Sequence, residues 1–171
     1  QGYDAVGNVQ KVTERYFGST LAPRTVTNTY DDANRLHVET AEQGTTTRAT
    51  VYTFDKANNR SEKAVSTTTG TTNTTVDTTY GYNSLNQLET ATTGAAVTTY
   101  TYDLNGNRST RTAAGQTDTY SYDYENRLVS LAKNTTGGTG TFAYLHDFRT
   151  RRVERSETIG GTTTVTKSVF R

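Results

Sequence analysis

Three features of this sequence predict an all-β fold built as an antiparallel meander of hairpins. Threonine supplies 40 of the 171 residues, and a β-branched side chain suits a pleated, half-solvated strand far better than a helix. Aromatic and hydroxyl residues alternate with period two in Thr99-Tyr100-Thr101-Tyr102 and Val51-Tyr52-Thr53-Phe54, which puts rings on one strand face and hydroxyls on the other. A short motif opening on an aromatic and an acid recurs along the whole chain at the interval of one supersecondary unit.

In chain order the motif opens at Tyr3-Asp4, Tyr30-Asp31, Phe54-Asp55, Tyr82-Asn83, Tyr102-Asp103 and Tyr122-Asp123, with a degenerate seventh copy at His146-Asp147. The copies occupy 3–9, 30–36, 54–60, 82–88, 102–108, 122–128 and 146–152, spaced by 27, 24, 28, 20, 20 and 24 residues. Each interval holds about one hairpin, so residues 1–171 read as a single array. Four places after the aromatic stand Gly7, Asn34, Asn58, Asn86, Gly106 and Asn126, the two residue types that most readily take positive φ. The Asp or Asn directly after the aromatic can accept from a backbone N–H two residues on, so the two columns together predict a tight turn.

Strands enter these turns through Tyr52 and Phe54, Tyr80 and Tyr82, Tyr100 and Tyr102, and Tyr120 and Tyr122. They leave through segments such as Arg127-Leu128-Val129-Ser130-Leu131 and turn back near Gly44, Gly70, Gly94, Gly115 and Gly137-Gly138. Six places after the aromatic the residue alternates: Val9, Leu36, Arg60, Leu88, Arg108, Leu128, Arg152. That alternation predicts a structural period of two hairpins.

Composition removes several function classes. Leu, Ile, Val and Phe total 27 residues, too few for a thick oily core, yet a net charge of +1 lacks the self-repulsion of a disordered chain. Arg149, Arg151, Arg152 and Arg155 are the one basic cluster, too short to track phosphates, which argues against nucleic acid as partner. The absence of cysteine leaves the redox compartment open. No apolar run is long enough to span a membrane, and the chain opens at Gln1 with no signal-type segment, as a processed product or a segment of something longer would.

Tyr-x-Tyr-Asp-x-x-Gly-Asn-Arg, alternating with Tyr-x-Tyr-Asp-x-x-Asn-Arg-Leu, resembles the YD repeat of Rhs, teneurin and insecticidal Tc-toxin C-component proteins, from Tyr3 to about Val153. The resemblance implies a ribbon of YD hairpins spiralling into a hollow shell or tube, its wall lined by stacked tyrosines. Bacterial relatives use such a wall to enclose a toxic C-terminal domain, and others are secreted or cell-surface proteins. The single proline, Pro23, leaves out the proline-dependent motifs with which such shells end.

Chemistry-bearing patterns are sparse. His37 and His146 sit inside repeat columns without a nucleophile or metal motif beside them, so neither is assigned catalysis. Asp103, Asn105 and Asn107 faintly imitate a calcium loop, but Gly106 falls at its fourth place rather than its sixth. No cofactor or metal is expected. Arg35, Arg60, Arg108 and Arg127 read as surface residues paired with turn acids. Asn59, Asn73, Asn107 and Asn134 match the glycosylation acceptor pattern, relevant to an extracellular protein. The tyrosine ladder is expected to pack across strands rather than to stack on sugars.

The function expected from these readings is structural and non-catalytic: a secreted or surface module assembling head-to-tail into a filament or tube. The alternatives are a wall fragment of an Rhs- or Tc-type shell joined to flanking domains, and a carbohydrate-binding adhesion module.

Overall fold

The structure, a computed structural model, describes residues 1–15, 18, 20–135 and 138–169. Among them it holds fifteen strands and no helix, in one sheet whose strand order is the order of the chain. The sequence-predicted all-β antiparallel meander is the observed fold.

The chain divides into two compact units, Gln1–Asn86 with Ala91–Ala95, and Gln87–Thr90 with Ala96–Arg171. The first carries β1 (Gly2–Tyr3), β2 (Val9–Glu14), β3 (Arg24–Tyr30), β4 (Leu36–Gln43), β5 (Thr46–Phe54), β6 (Arg60–Thr69) and β7 (Thr72–Tyr82). Strand β8 (Leu88–Thr93) has residues in each unit. The second carries β9 (Ala96–Tyr102), β10 (Arg108–Ala113), β11 (Gln116–Tyr122), β12 (Leu128–Thr135), β13 (Gly138–His146), β14 (Arg152–Ile159) and β15 (Thr162–Lys167).

Hairpins close in two ways. Away from the motif, two-residue turns at Gly44-Thr45, Gly70-Thr71, Gly94-Ala95, Ala114-Gly115 and Gly160-Gly161 each begin on a residue of positive φ (58, 59, 56, 50 and 57°), the hand that matches strand twist. Gly137 lies outside the described residues. At the motif ends the register slips by one: Tyr30 faces Leu36 but Thr29 faces Val38, so His37 has no opposite number. The same bulge sets aside Ser61, Ser109, Val129 and Val153 in later copies. A bulge repeated at one column twists and bends every second strand alike.

The core is thin, as 27 aliphatic and phenylalanine residues dictate. Among the described residues Val26 is the buried hydrophobic side chain, with Thr50 and Asp118 the buried polar ones. Cross-strand contacts take the place of depth. Threonine hydroxyls pair between strands at Thr46 and Thr69 (3.1 Å), Thr112 and Thr117 (2.8 Å), and Thr158 and Thr163 (2.8 Å).

Candidate functional site

Each motif copy folds into the same loop around the residue that follows the aromatic. At Asp31 the backbone N–H donates to the Arg35 carbonyl (2.9 Å), and the Asp31 carbonyl accepts from Asn34 N–H (2.9 Å). Asp31 Oδ1 accepts from the N–H groups of Ala33 and Arg35, both at 2.9 Å, and Oδ2 accepts from Arg35 Nε at 2.7 Å. Asp4, Asp55, Asp103, Asp123 and Asp147 repeat the arrangement with Asn8, Asn59, Asn107, Arg127 and Arg151 as side-chain donors. In the fourth copy Asn83 Oδ1 accepts from Leu85 N–H at 2.9 Å.

The residue that closes each loop is left-handed: Gly7 (94°), Asn34 (58°), Asn58 (66°), Asn86 (58°), Gly106 (84°) and Asn126 (59°). In the degenerate copy Thr150 takes the position at 61°, an outlier for a β-branched residue, held by the loop around Asp147.

The loop carboxylates stay below the ordinary aspartate value of 3.8. At Asp31 and Asp103 the largest cause is the hydrogen bond from the Arg35 or Asn107 side chain. At Asp4, Asp55, Asp123 and Asp147 partial desolvation pulls upward, and backbone and side-chain donors outweigh it.

Consecutive loops are hydrogen-bonded to one another. Asn8 Nδ2 donates to Asn34 Oδ1 (3.4 Å), Arg35 Nη1 to Asn58 Oδ1 (2.7 Å) and Asn59 Nδ2 to Asn86 Oδ1 (3.0 Å). In the second unit Asn107 Nδ2 donates to Asn126 Oδ1 (2.8 Å), and Arg127 Nη1 reaches the Asp147 carbonyl (3.3 Å). The turn column therefore does two things where it is asparagine: it adopts the left-handed conformation and offers an acceptor to the preceding copy. The Asn59 and Asn107 amides, two of the glycosylation acceptors, are both engaged in this ladder. Asn73 lies exposed on β7, and the Asn134 side chain lies outside the described residues.

The aromatic column forms a second ladder. Tyr30, Tyr82 and Tyr102 donate their hydroxyls to the carbonyls of Val9 (2.9 Å), Arg60 (3.0 Å) and Leu88 (2.8 Å), each six places past the previous copy's aromatic. Partial burial pushes the Tyr102 and Tyr122 hydroxyls above the ordinary tyrosine value. Tyr3 is more than half exposed.

The four arginines expected to pair with turn acids divide into two groups. Arg35 and Arg127 do so, at 2.7 Å from Asp31 and Asp123. Arg60 and Arg108, one column later, have no carboxylate partner among the described residues: Arg60 lies over the rings of Tyr80 (4.4 Å) and Tyr52 (5.8 Å), and Arg108 over Tyr120 (4.3 Å) and Tyr100 (5.9 Å). Moving one residue along the outgoing strand takes the side chain away from the loop carboxylate and leaves ring stacking alone, a contact Arg35 also makes over Phe54 (4.4 Å).

His37 Nδ1 sits 3.0 Å from the Tyr52 carbonyl, and His146 Nδ1 is buried without a partner among the described residues. Both Asp103 carboxylate oxygens are taken by Asn105 and Asn107 donors, the arrangement of a turn. Sequence reading missed the apolar loop tips: Leu104, Tyr124 and Phe148, two places after successive aromatics, are almost fully exposed.

No family model matches the chain, and no curated protein matches it. The crystal structure of TcdB2-TccC3 without its hypervariable C-terminal region is similar over 96% of this chain, at 15% identity and a TM-score of 0.55. At that identity the likeness is one of fold, and the chain spans 11% of that structure's length. A porin-like protein from Bacteroides uniformis superposes with a TM-score of 0.36 and 13% identity, over 91% of this chain and 92% of its own, too weak a match to compare folds. The chain thus has the all-β hairpin architecture seen in part of TcdB2-TccC3.

Proposed function

We propose that this chain is a stretch of wall: a structural, non-catalytic run of YD-type hairpins from a secreted or cell-surface protein, of the kind that encloses a cargo in Rhs and Tc C-component shells. The observation that carries the reading is the loop ladder, in which the motif's recurring polar columns are consumed in joining one hairpin to the next. A catalytic or ligand site would leave such groups free. The likeness in fold to TcdB2-TccC3 supports a shell wall over a self-assembling filament. Negative-stain electron microscopy of the purified chain tests the choice: single small particles are expected, and long uniform filaments would sink the wall reading in favour of a fibre subunit.

A further inference from the structure

Among the arginines of the motif, Arg35, Arg127 and Arg151 each hold a carboxylate. Arg60 and Arg108 hold none, and they make no hydrogen bond through their guanidinium groups among the described residues. A guanidinium has five N–H donors and no acceptor. A tyrosine face attracts the cation but satisfies no in-plane donor, and Arg60 Nε and Arg108 Nε are buried with no partner. The sheet does not demand arginine in this column, since copies two, four and six place Leu36, Leu88 and Leu128 there.

Beside Arg60 lies an open depression of about 270 Å³ lined by Leu36, Tyr52, Phe54 and Arg60. A cation with no carboxylate partner among the described residues, set beside Leu36, Tyr52 and a Phe54 ring that carries the Arg35 guanidinium on it (4.4 Å), is complementary to a carboxylate carried next to an apolar group. Because Arg60 Nε has no accessible surface, a ligand would have to be met by the Nη hydrogens. A saccharide would bring hydroxyls that Leu36 and Phe54 cannot satisfy. An extended peptide with alternating acidic and apolar residues offers both chemistries at strand spacing. The second unit repeats the columns with Leu88, Tyr100, Tyr102, Arg108 and Tyr120, Tyr102 Oη bonding the Leu88 carbonyl.

We propose that Arg60 and Arg108 are carboxylate clamps, one in each unit, and that the aromatic face within each unit binds an extended peptide of alternating acidic and apolar residues. This reading of the face stands whether or not the chain is part of a shell.

A fluorescein-labelled octapeptide alternating glutamate and leucine, titrated with the full chain and followed by anisotropy, tests the proposal. Saturable binding is expected. It should weaken by about tenfold or more when glutamine replaces glutamate, and likewise in the double variant Arg60→Leu, Arg108→Leu. That variant should fold, because leucine already occupies the column in alternate copies; its circular dichroism and melting curve check this. If it does not fold, Arg60→Lys with Arg108→Lys keeps charge and stem but removes the planar fork, and weakened binding is again expected. Absence of saturable binding, unchanged affinity in a folded variant, or equal affinity for the glutamine peptide overturns the clamp. Trigalacturonate competing as strongly as the peptide overturns the choice of a peptide ligand.

Discussion

Gly106 shows how one side chain, or its absence, sets the loop. Its φ is +84°, and a Cβ built there would stand 3.3 Å from Gln87 Nε2. Gly106→Val should therefore destabilise the chain by roughly 1–3 kcal/mol through left-handed strain at a β-branched residue, measured as a lower urea midpoint at unchanged slope. Gly106→Asn should be far milder, because Asn34, Asn58 and Asn126 hold the same conformation and the flexible Gln87 amide can shift. The loop acids predict a pH dependence. Their folded-state values lie below the ordinary 3.8, so they contribute stability above the unfolded value and lose it as pH falls through the lower folded values. Thermal midpoints should hold from neutrality to about pH 4 and then drop, and Asp123→Asn should flatten that drop; an acid-insensitive midpoint would contradict the carboxylate-centred loop. The left-handed column was legible in the sequence because only glycine and asparagine fill six of its copies. The seventh, Thr150, was not, since its conformation is imposed by the Asp147 hydrogen bonds.

At the scale of a strand, the ring-and-hydroxyl alternation was equally legible, because period two follows from the pleat alone. On β9 the half-buried residues are Thr98, Tyr100 and Tyr102, and Val97, Thr99 and Thr101 are exposed. The bulges at His37, Ser61, Ser109, Val129 and Val153 were not legible: those five residues share no chemistry, and the bulge is created by how the loop rejoins the sheet. The tyrosine hydroxyl ladder makes a directional prediction at this scale. Phe54 occupies the column in which Tyr30, Tyr82 and Tyr102 reach the previous copy's carbonyl. Phe54→Tyr should bring the missing hydroxyl to the Leu36 carbonyl and stabilise by roughly 0.5–1.5 kcal/mol, and Tyr102→Phe should destabilise by about as much. Equilibrium urea unfolding measures both, and a stabilised Tyr102→Phe variant would remove the ladder's energetic role.

At the scale of the whole molecule, stability rests on repeated nearest-neighbour pairing rather than on a deep core. In such arrays opening free energy falls toward strands paired on one side alone. In the first unit β5 and β6, paired on both sides, should exchange amide hydrogens more slowly than β1. In the second unit β15, exposed at all six residues, should exchange faster than β13. Hydrogen exchange read by mass spectrometry decides this, and equal protection of β13 and β15 would indicate one cooperative core instead.

The succession of strands and loops follows from the order of residues alone, because each loop is closed within five residues by hydrogen bonds that Asp, Asn and Gly make locally. How one copy serves the next is set by contacts between distant strands. Asn34 and Asn58 accept from residues 26 and 23 positions away, and Arg60 has only rings for partners among the described residues while Arg35 both holds Asp31 and lies over Phe54. Those pairings depend on strand register and on a one-residue bulge. Neither is encoded in a residue's near neighbours, so arginines one column apart look alike in the sequence and differ in the fold.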